Sequence, residues 1–248
     1  VICFSWGVFG VGLATAISQF VSAVFIVICL VKESSLVRLE LKKLRIYKKK
    51  LLRILQIGIP AGFQGMMFSL SNVVIQSSIN SFGKTIVAAS AASVSVEGFA
   101  FTSMNSFHQA VVSFTSQNIG ARRFERINKI LYISLFYVVA VGLFFALIFT
   151  VFGKNLIGFY TSSPEVITEG VKRLTIIALS YFVCGMMDVT SGSMRGMGYS
   201  FVPMIVSLIG VCLFRVVWVG VIFRMEEYHI VETIYYSYPI SWSLTFIA

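Results

Sequence analysis

Six stretches of this sequence run for more than 20 residues with almost no charge, and they leave the chain few ways to fold. They cover residues 8–31, 54–83, 85–121, 130–152, 174–194 and 201–223. Each is long enough to carry a helix across a hydrocarbon core, for which about 20 apolar residues suffice. In lipid every backbone N–H and C=O must be satisfied within the protein, which leaves only helices or a closed barrel. Apolar runs of this length without strict alternation exclude the barrel. The expected fold is an all-α integral membrane protein, a polytopic helical bundle. Charged residues are 12% of the chain, about half the roughly 25% of a soluble domain, in keeping with that reading.

A seventh apolar run, 234–248, is shorter and still apolar where the sequence stops. At the other end, Val1 opens 31 residues without a charge, so the basic n-region of a signal peptide is missing. Both ends fit a fragment of a larger polytopic protein. Cys3, Cys29, Cys184 and Cys212 sit inside apolar runs with no metal-ligand spacing and read as small packing residues.

The formal net charge of +10 is unevenly spread. Residues 32–53 hold nine basic side chains against Glu33 and Glu40. Alternate loops after it add Arg122, Arg123, Arg126, Lys129 and Arg195 to the same side, giving 14; Lys84, Lys154, Lys172, Arg173 and Arg224 fall on the other. By the positive-inside rule the 32–53 loop is cytoplasmic. Its basic run is expected to rest on anionic head groups of the bilayer, with no nucleic-acid partner.

Two spans carry more than lipid anchoring needs. In the second, Gly58, Gly62, Gly65, Ser69, Asn72, Gln76 and Asn80 recur every three or four residues and share one helical face. Such a face is either a close helix-packing surface or the wall of an aqueous cavity. Pro60 is expected to bend this helix. The third span has two adjacent stripes, Ser90–Ser93–Glu97–Ala100–Met104–His108 and Ser95–Gly98–Thr102–Asn105–Gln109–Ser113–Ser116. Gln64, Asn72, Gln76, Met104, Asn105 and His108 are the candidate cavity lining. The first span has only a small-residue row, Gly10, Ala14, Ser18 and Ser22, which reads as packing.

Ionisable residues inside spans mark functional positions or ion pairs. At about 1.5 Å per residue, Glu97 lies near mid-membrane and Asp188 about 10 Å from the cytoplasmic end of its span. Glu97 and Asp188 are the candidate cation-coupling groups, with Ser90, Ser93 and His108 offering Glu97 an oxygen and nitrogen shell. The alternatives are a structural ion pair between Glu97 and Arg215, a solvated pair between Asp188 and Arg195, and a packing role for His108.

The segments GIPAGFQGMMFSLSNVVIQSSINSFG (58–83), VEGFAF (96–101), SQNIGARRFERINK (116–129) and SGSMRGMGYSFVPM (191–204) resemble, in order and spacing, the C-terminal half of the multidrug and toxic compound extrusion (MATE) family. The resemblance implies twelve helices in two six-helix lobes. Residues 1–31 would be the helix ending the N-terminal lobe, 32–53 the cytoplasmic inter-lobe linker, and 54–248 the C-terminal lobe. Its helices would lie at about 54–82, 85–116, 130–152, 174–194 and 201–223, with a truncated one at 234–248. Members are plasma-membrane antiporters that expel cationic or amphipathic drugs in exchange for Na+ or H+, without another cofactor. The missing N-terminal lobe would be the obligatory partner. One departure is Phe68, which occupies the region where some members carry a glutamate; Asp188 also lies nearer the MRG turn than their acidic residue, so Glu97 becomes the stronger coupling candidate. The rivals are a lipid-linked oligosaccharide flippase of the same superfamily, which would need cavity-lining bases where only Arg215 is seen at mid-span, and a membrane-embedded enzyme. No HExxH, GxSxG or paired-ligand spacing supports the enzyme.

Overall fold

Helices account for nearly all of the fold in this computed structural model, which describes residues 7–33, 39–40 and 45–248. Cys3 and parts of the basic linker, 34–38 and 41–44, lie outside the described residues, and no strand occurs among those described. The chain divides into two compact units, Val1–Leu51 and Leu52–Ala248. In the first, α1 (Gly7–Lys32) is apolar and its described side chains are almost all exposed, as suits lipid contact. Its end is closed by Glu33 N–H donating to Cys29 O and Leu39 N–H donating to Leu30 O.

The larger unit is built from α2 (Lys48–Asn80) from Leu52 onward, α3 (Lys84–Gly120), α4 (Glu125–Gly158), α5 (Pro164–Ala178), α6 (Tyr181–Gly196), α7 (Phe201–Ile222) and α8 (Val231–Ile247). α2 runs unbroken through Pro60. Among the described residues five helices are long and apolar enough to span a membrane, and the pair α5 and α6, bent by 44°, makes a sixth. The expected span at 174–194 is therefore corrected: it is a broken helix that begins at Pro164. Ser163 is extended, Pro164 supplies a φ already suited to the first helical turn, and Glu165 complements the helix dipole there. Lys172 and Arg173 lie inside α5, not in a loop, and each has an acidic partner. Lys172 donates to Glu169 Oε1 at 2.6 Å and lies 3.9 Å from Glu232, while Arg173 is turned into the bundle.

Glycines set how closely α6 approaches its neighbours. A Cβ at Gly185 would stand 2.6 Å from Val138 and 2.7 Å from Met104, one at Gly192 would meet His108, and one at Gly196 would meet Thr115 at 2.7 Å. The three lie on one face and let α6 bed against α3, and at Gly185 against α4 as well. Around them Val96, Ala100, Phe149, Leu174, Ile177 and Met187 form the main core. A second core joins Ile75 and Ile79 of α2 to Val219, Phe223, Ile234 and Tyr235.

α7 is α-helical at its start but contains two π turns, Leu208–Leu213 and Trp218–Ile222, on either side of the short α stretch Phe214–Val217. Bonding from i to i+5 takes an additional residue per turn and rotates the face that follows. Between them, Arg215 points into the bundle and is 3% exposed.

Candidate functional site

A cavity of about 820 Å³ opens within the larger unit, walled by α2, α3, α5, α6, α7 and α8. From α2 it takes Gln64, Gly65, Ser69, Asn72 and Gln76, most of the small and polar face seen in the sequence. Gly58, Gly62 and Gly65 have nothing within 4 Å of where a Cβ would stand, so in this unit that face is not a packing seam. Gln76 Nε2 donates to Asn80 Oδ1 at 2.9 Å along it. Both stripes of α3 reach the cavity: Glu97 and His108 of one and Gly98 and Asn105 of the other line it, whereas Ser90, Ser93, Ala100 and Met104 are buried. Met104 does not line the cavity as expected: it packs with Val111, Val138 and Val189 because Gly185 leaves room for its sulfur. Phe68 lines the cavity and rests on the main core.

Glu97 is 7% exposed and is held by Arg173, from Nε to Oε1 at 3.2 Å and from Nη2 to Oε2 at 3.4 Å. The alternative of an ion pair with Arg215 is thus corrected, since the partner is Arg173, and the shell around Glu97 does not form. Ser93 donates to the carbonyls of Ala89 and Gly170, Ser90 meets the Tyr235 hydroxyl at 3.3 Å, and His108 Nδ1 lies 2.7 Å from the Asp188 carbonyl oxygen. Arg173 also stands 5.3 Å from the Tyr235 ring and 5.9 Å from that of Tyr238.

Asp188 lines the cavity, and its carboxylate makes no ion pair among the described residues. Arg195, expected as its partner, is seven residues on, about 10 Å of helix rise. Its Nη2 instead donates to Gln64 Oε1 at 2.5 Å and fastens α6 to α2, while its Nε is buried without a partner. Arg215 donates from Nε to Ser241 Oγ at 3.0 Å and lies over the Tyr238 ring at 4.1 Å and the Trp242 ring at 5.6 Å. Its Nη2 has no partner. The wall therefore holds one closed ion pair, one carboxylate outside any ion pair and two guanidiniums bonded to neutral groups.

Arg173, Tyr238 and Trp242 were not foreseen in the sequence as site residues. Arg173 is disguised by its neighbours Glu169 and Lys172, which make the segment read as a loop. Tyr238 and Trp242 sit four apart and so on one face, a signal that was present. Among the described residues no cluster of His, Cys, Asp and Glu could hold a metal ion; Cys184 and Cys212 are buried and free, Cys29 exposed and free.

The MatE family model matches residues 60–219. The chain is 24% identical over 250 residues to the probable multidrug resistance protein YoeA of Bacillus subtilis, covering 97% of this chain and 52% of that protein. With the probable multidrug resistance protein YpnP of the same organism it shares 28% identity over 212 residues, 86% of this chain and 47% of the relative. A solved structure described as the outward-facing conformation of a multidrug resistance MATE family transporter of the MOP superfamily superposes with a TM-score of 0.87 at 19% identity. That likeness covers 98% of this chain and 54% of the other. The chain spans about half the length of the relatives it matches.

Proposed function

We propose, from the premise that this chain belongs to the MatE family, that it forms one lobe of a membrane antiporter that expels amphipathic or cationic organic compounds in exchange for Na+ or H+. The observation that carries this reading is the cavity, whose wall combines a row of amides, aromatic rings and a carboxylate held in no ion pair. Asp188 is assigned the coupling role. A carboxylate held in no ion pair is free to take up a proton or a cation, and an organic cation entering the same space competes for it. Glu97 is already neutralised by Arg173, so it serves to hold α3 to α5. Transport would need an N-terminal lobe such as the extra length of the relatives provides, with access alternating as one lobe rocks against the other. The basic 32–53 loop is assigned to the cytoplasmic side of the cell membrane; moving Arg173 and Arg195 from the loops into the cavity wall takes one base from each side and leaves the bias.

The test is efflux of a fluorescent organic cation from vesicles containing the two-lobe protein, driven separately by sodium and by proton gradients. Asp188→Asn should accumulate and insert normally yet lose ion-driven efflux. Unchanged efflux in that variant would remove Asp188 from the coupling step.

Three guanidiniums on the wall, where sequence reading placed one, favour a second reading as a lipid-linked oligosaccharide flippase. A pyrophosphate would need several uncommitted guanidiniums together. Arg173 is spent on Glu97, which leaves the antiporter the better reading.

A further inference from the structure

We propose that Arg215, with Ser241, Tyr238 and Trp242, is a built subsite for an oxyanion, the carboxylate, sulfonate or phosphate end of an amphipathic molecule whose apolar part lies in the cavity. This deepens the transport reading and rests on it for the route by which the ligand arrives. Arginine keeps its charge in any protein surrounding, and burying it is costly without a partner. Arg215 is 3% exposed, yet no carboxylate pairs with it among the described residues. Of its five N–H donors only the one on Nε finds an acceptor, Ser241 Oγ, and Nη2 has none. The rings of Tyr238 and Trp242 lie against the guanidinium face. Its outer in-plane edge, formed by Nη1 and Nη2 and able to bind oxyanions by paired N–H donors, is left without an acceptor. The two π turns around Phe214–Val217 are an independent mark, since π turns concentrate at functional positions and here they aim this one cation inward. A bare packing role would be met by an uncharged side chain.

The ligand comes either as a free amphiphile or as a lipid headgroup, and two arms separate these. The two-lobe protein in dodecyl maltoside is titrated with pyrene-1-sulfonate and, in parallel, with 1-pyrenemethylammonium, followed by fluorescence anisotropy. The sulfonate should bind the unaltered protein, and Arg215→Gln should weaken it by roughly tenfold or more, as for the loss of a charge-assisted hydrogen bond. Affinity for the ammonium should hold within about twofold. Arg215→Lys, which keeps the charge, should retain part of the sulfonate affinity and guards against a glutamine variant that does not fold. Displacement of the sulfonate by phosphatidylglycerol but not by benzenesulfonate assigns the site to a lipid headgroup; the reverse assigns it to a free amphiphile. Ammonium binding without sulfonate binding in the unaltered protein, or equal sulfonate affinity in all three proteins, overturns the subsite. Intact sulfonate binding with no ion-driven efflux would overturn the transport reading alone.

Discussion

A carboxylate and a guanidinium 76 residues apart in sequence, Glu97 and Arg173, close a buried pair between α3 and α5. Removing one partner of such a pair strands the other charge in a medium that solvates it poorly, at a cost of about 3–5 kcal/mol, whereas removing both is far milder. Glu97→Gln should therefore lower the denaturation temperature of the detergent-purified protein and its accumulation in the membrane. Adding Arg173→Gln should recover much of both; adding Arg215→Gln should recover neither. Recovery by the Arg215 change and not the Arg173 change would contradict the pairing. The lone charge of Glu97 is legible in the sequence because nothing ionised surrounds it. Its partner is not, since hydropathy is read along the chain and Arg173 stands beside two other charged side chains. The same limit hides Arg195, which reads as a turn residue until Gln64 is seen 131 positions away.

Along the helices, the close contacts are set by where a methyl group fits. In α4 a Cβ at Gly142 would fall 2.7 Å from the Phe182 Cα, whereas one at Gly153 would meet only side chains at 3.6 Å or more. Backbone does not yield easily, so Gly142→Ala should destabilise by roughly 1–3 kcal/mol. Gly153→Ala should be neutral or slightly stabilising, since alanine favours helix by up to about 1 kcal/mol. Thermal unfolding in detergent distinguishes the two. On α2, Asn72→Leu should impair efflux by the two-lobe protein more than Val73→Leu, although both positions edge the cavity, because only Asn72 removes an amide from its wall. Equal efflux in the two would make the amide row incidental. Periodicity made the α2 stripe legible, and Ser163, Pro164 and Glu165 carried the start of α5 in plain view. The π turns of α7 have no comparable sequence signature: their residues are ordinary apolar ones, and the register change comes from packing.

At the scale of the whole molecule, the helical bundle follows from run length and solvent alone, and the basic bias sets its expected orientation. With single cysteines in the two-lobe protein and an impermeant reagent on intact cells, position 45 should be protected and position 154 labelled. The reverse would invert the orientation. Helix number was nearly legible; the 44° break between α5 and α6 was not, because a broken span and a straight one have the same composition. Tyr238 has a ring shared by two cations, Arg173 at 5.9 Å and Arg215 at 4.1 Å, the first already tied to Glu97. Two occupancies that lean on one ring cannot be thermodynamically independent. Whatever binds at Arg215 and shifts that guanidinium alters the Glu97–Arg173 contact by some free energy, and opening that contact alters ligand affinity by the same amount. The ring is then a point of linkage between ligand and scaffold, and Tyr238→Leu should leave the two effects closer to additive.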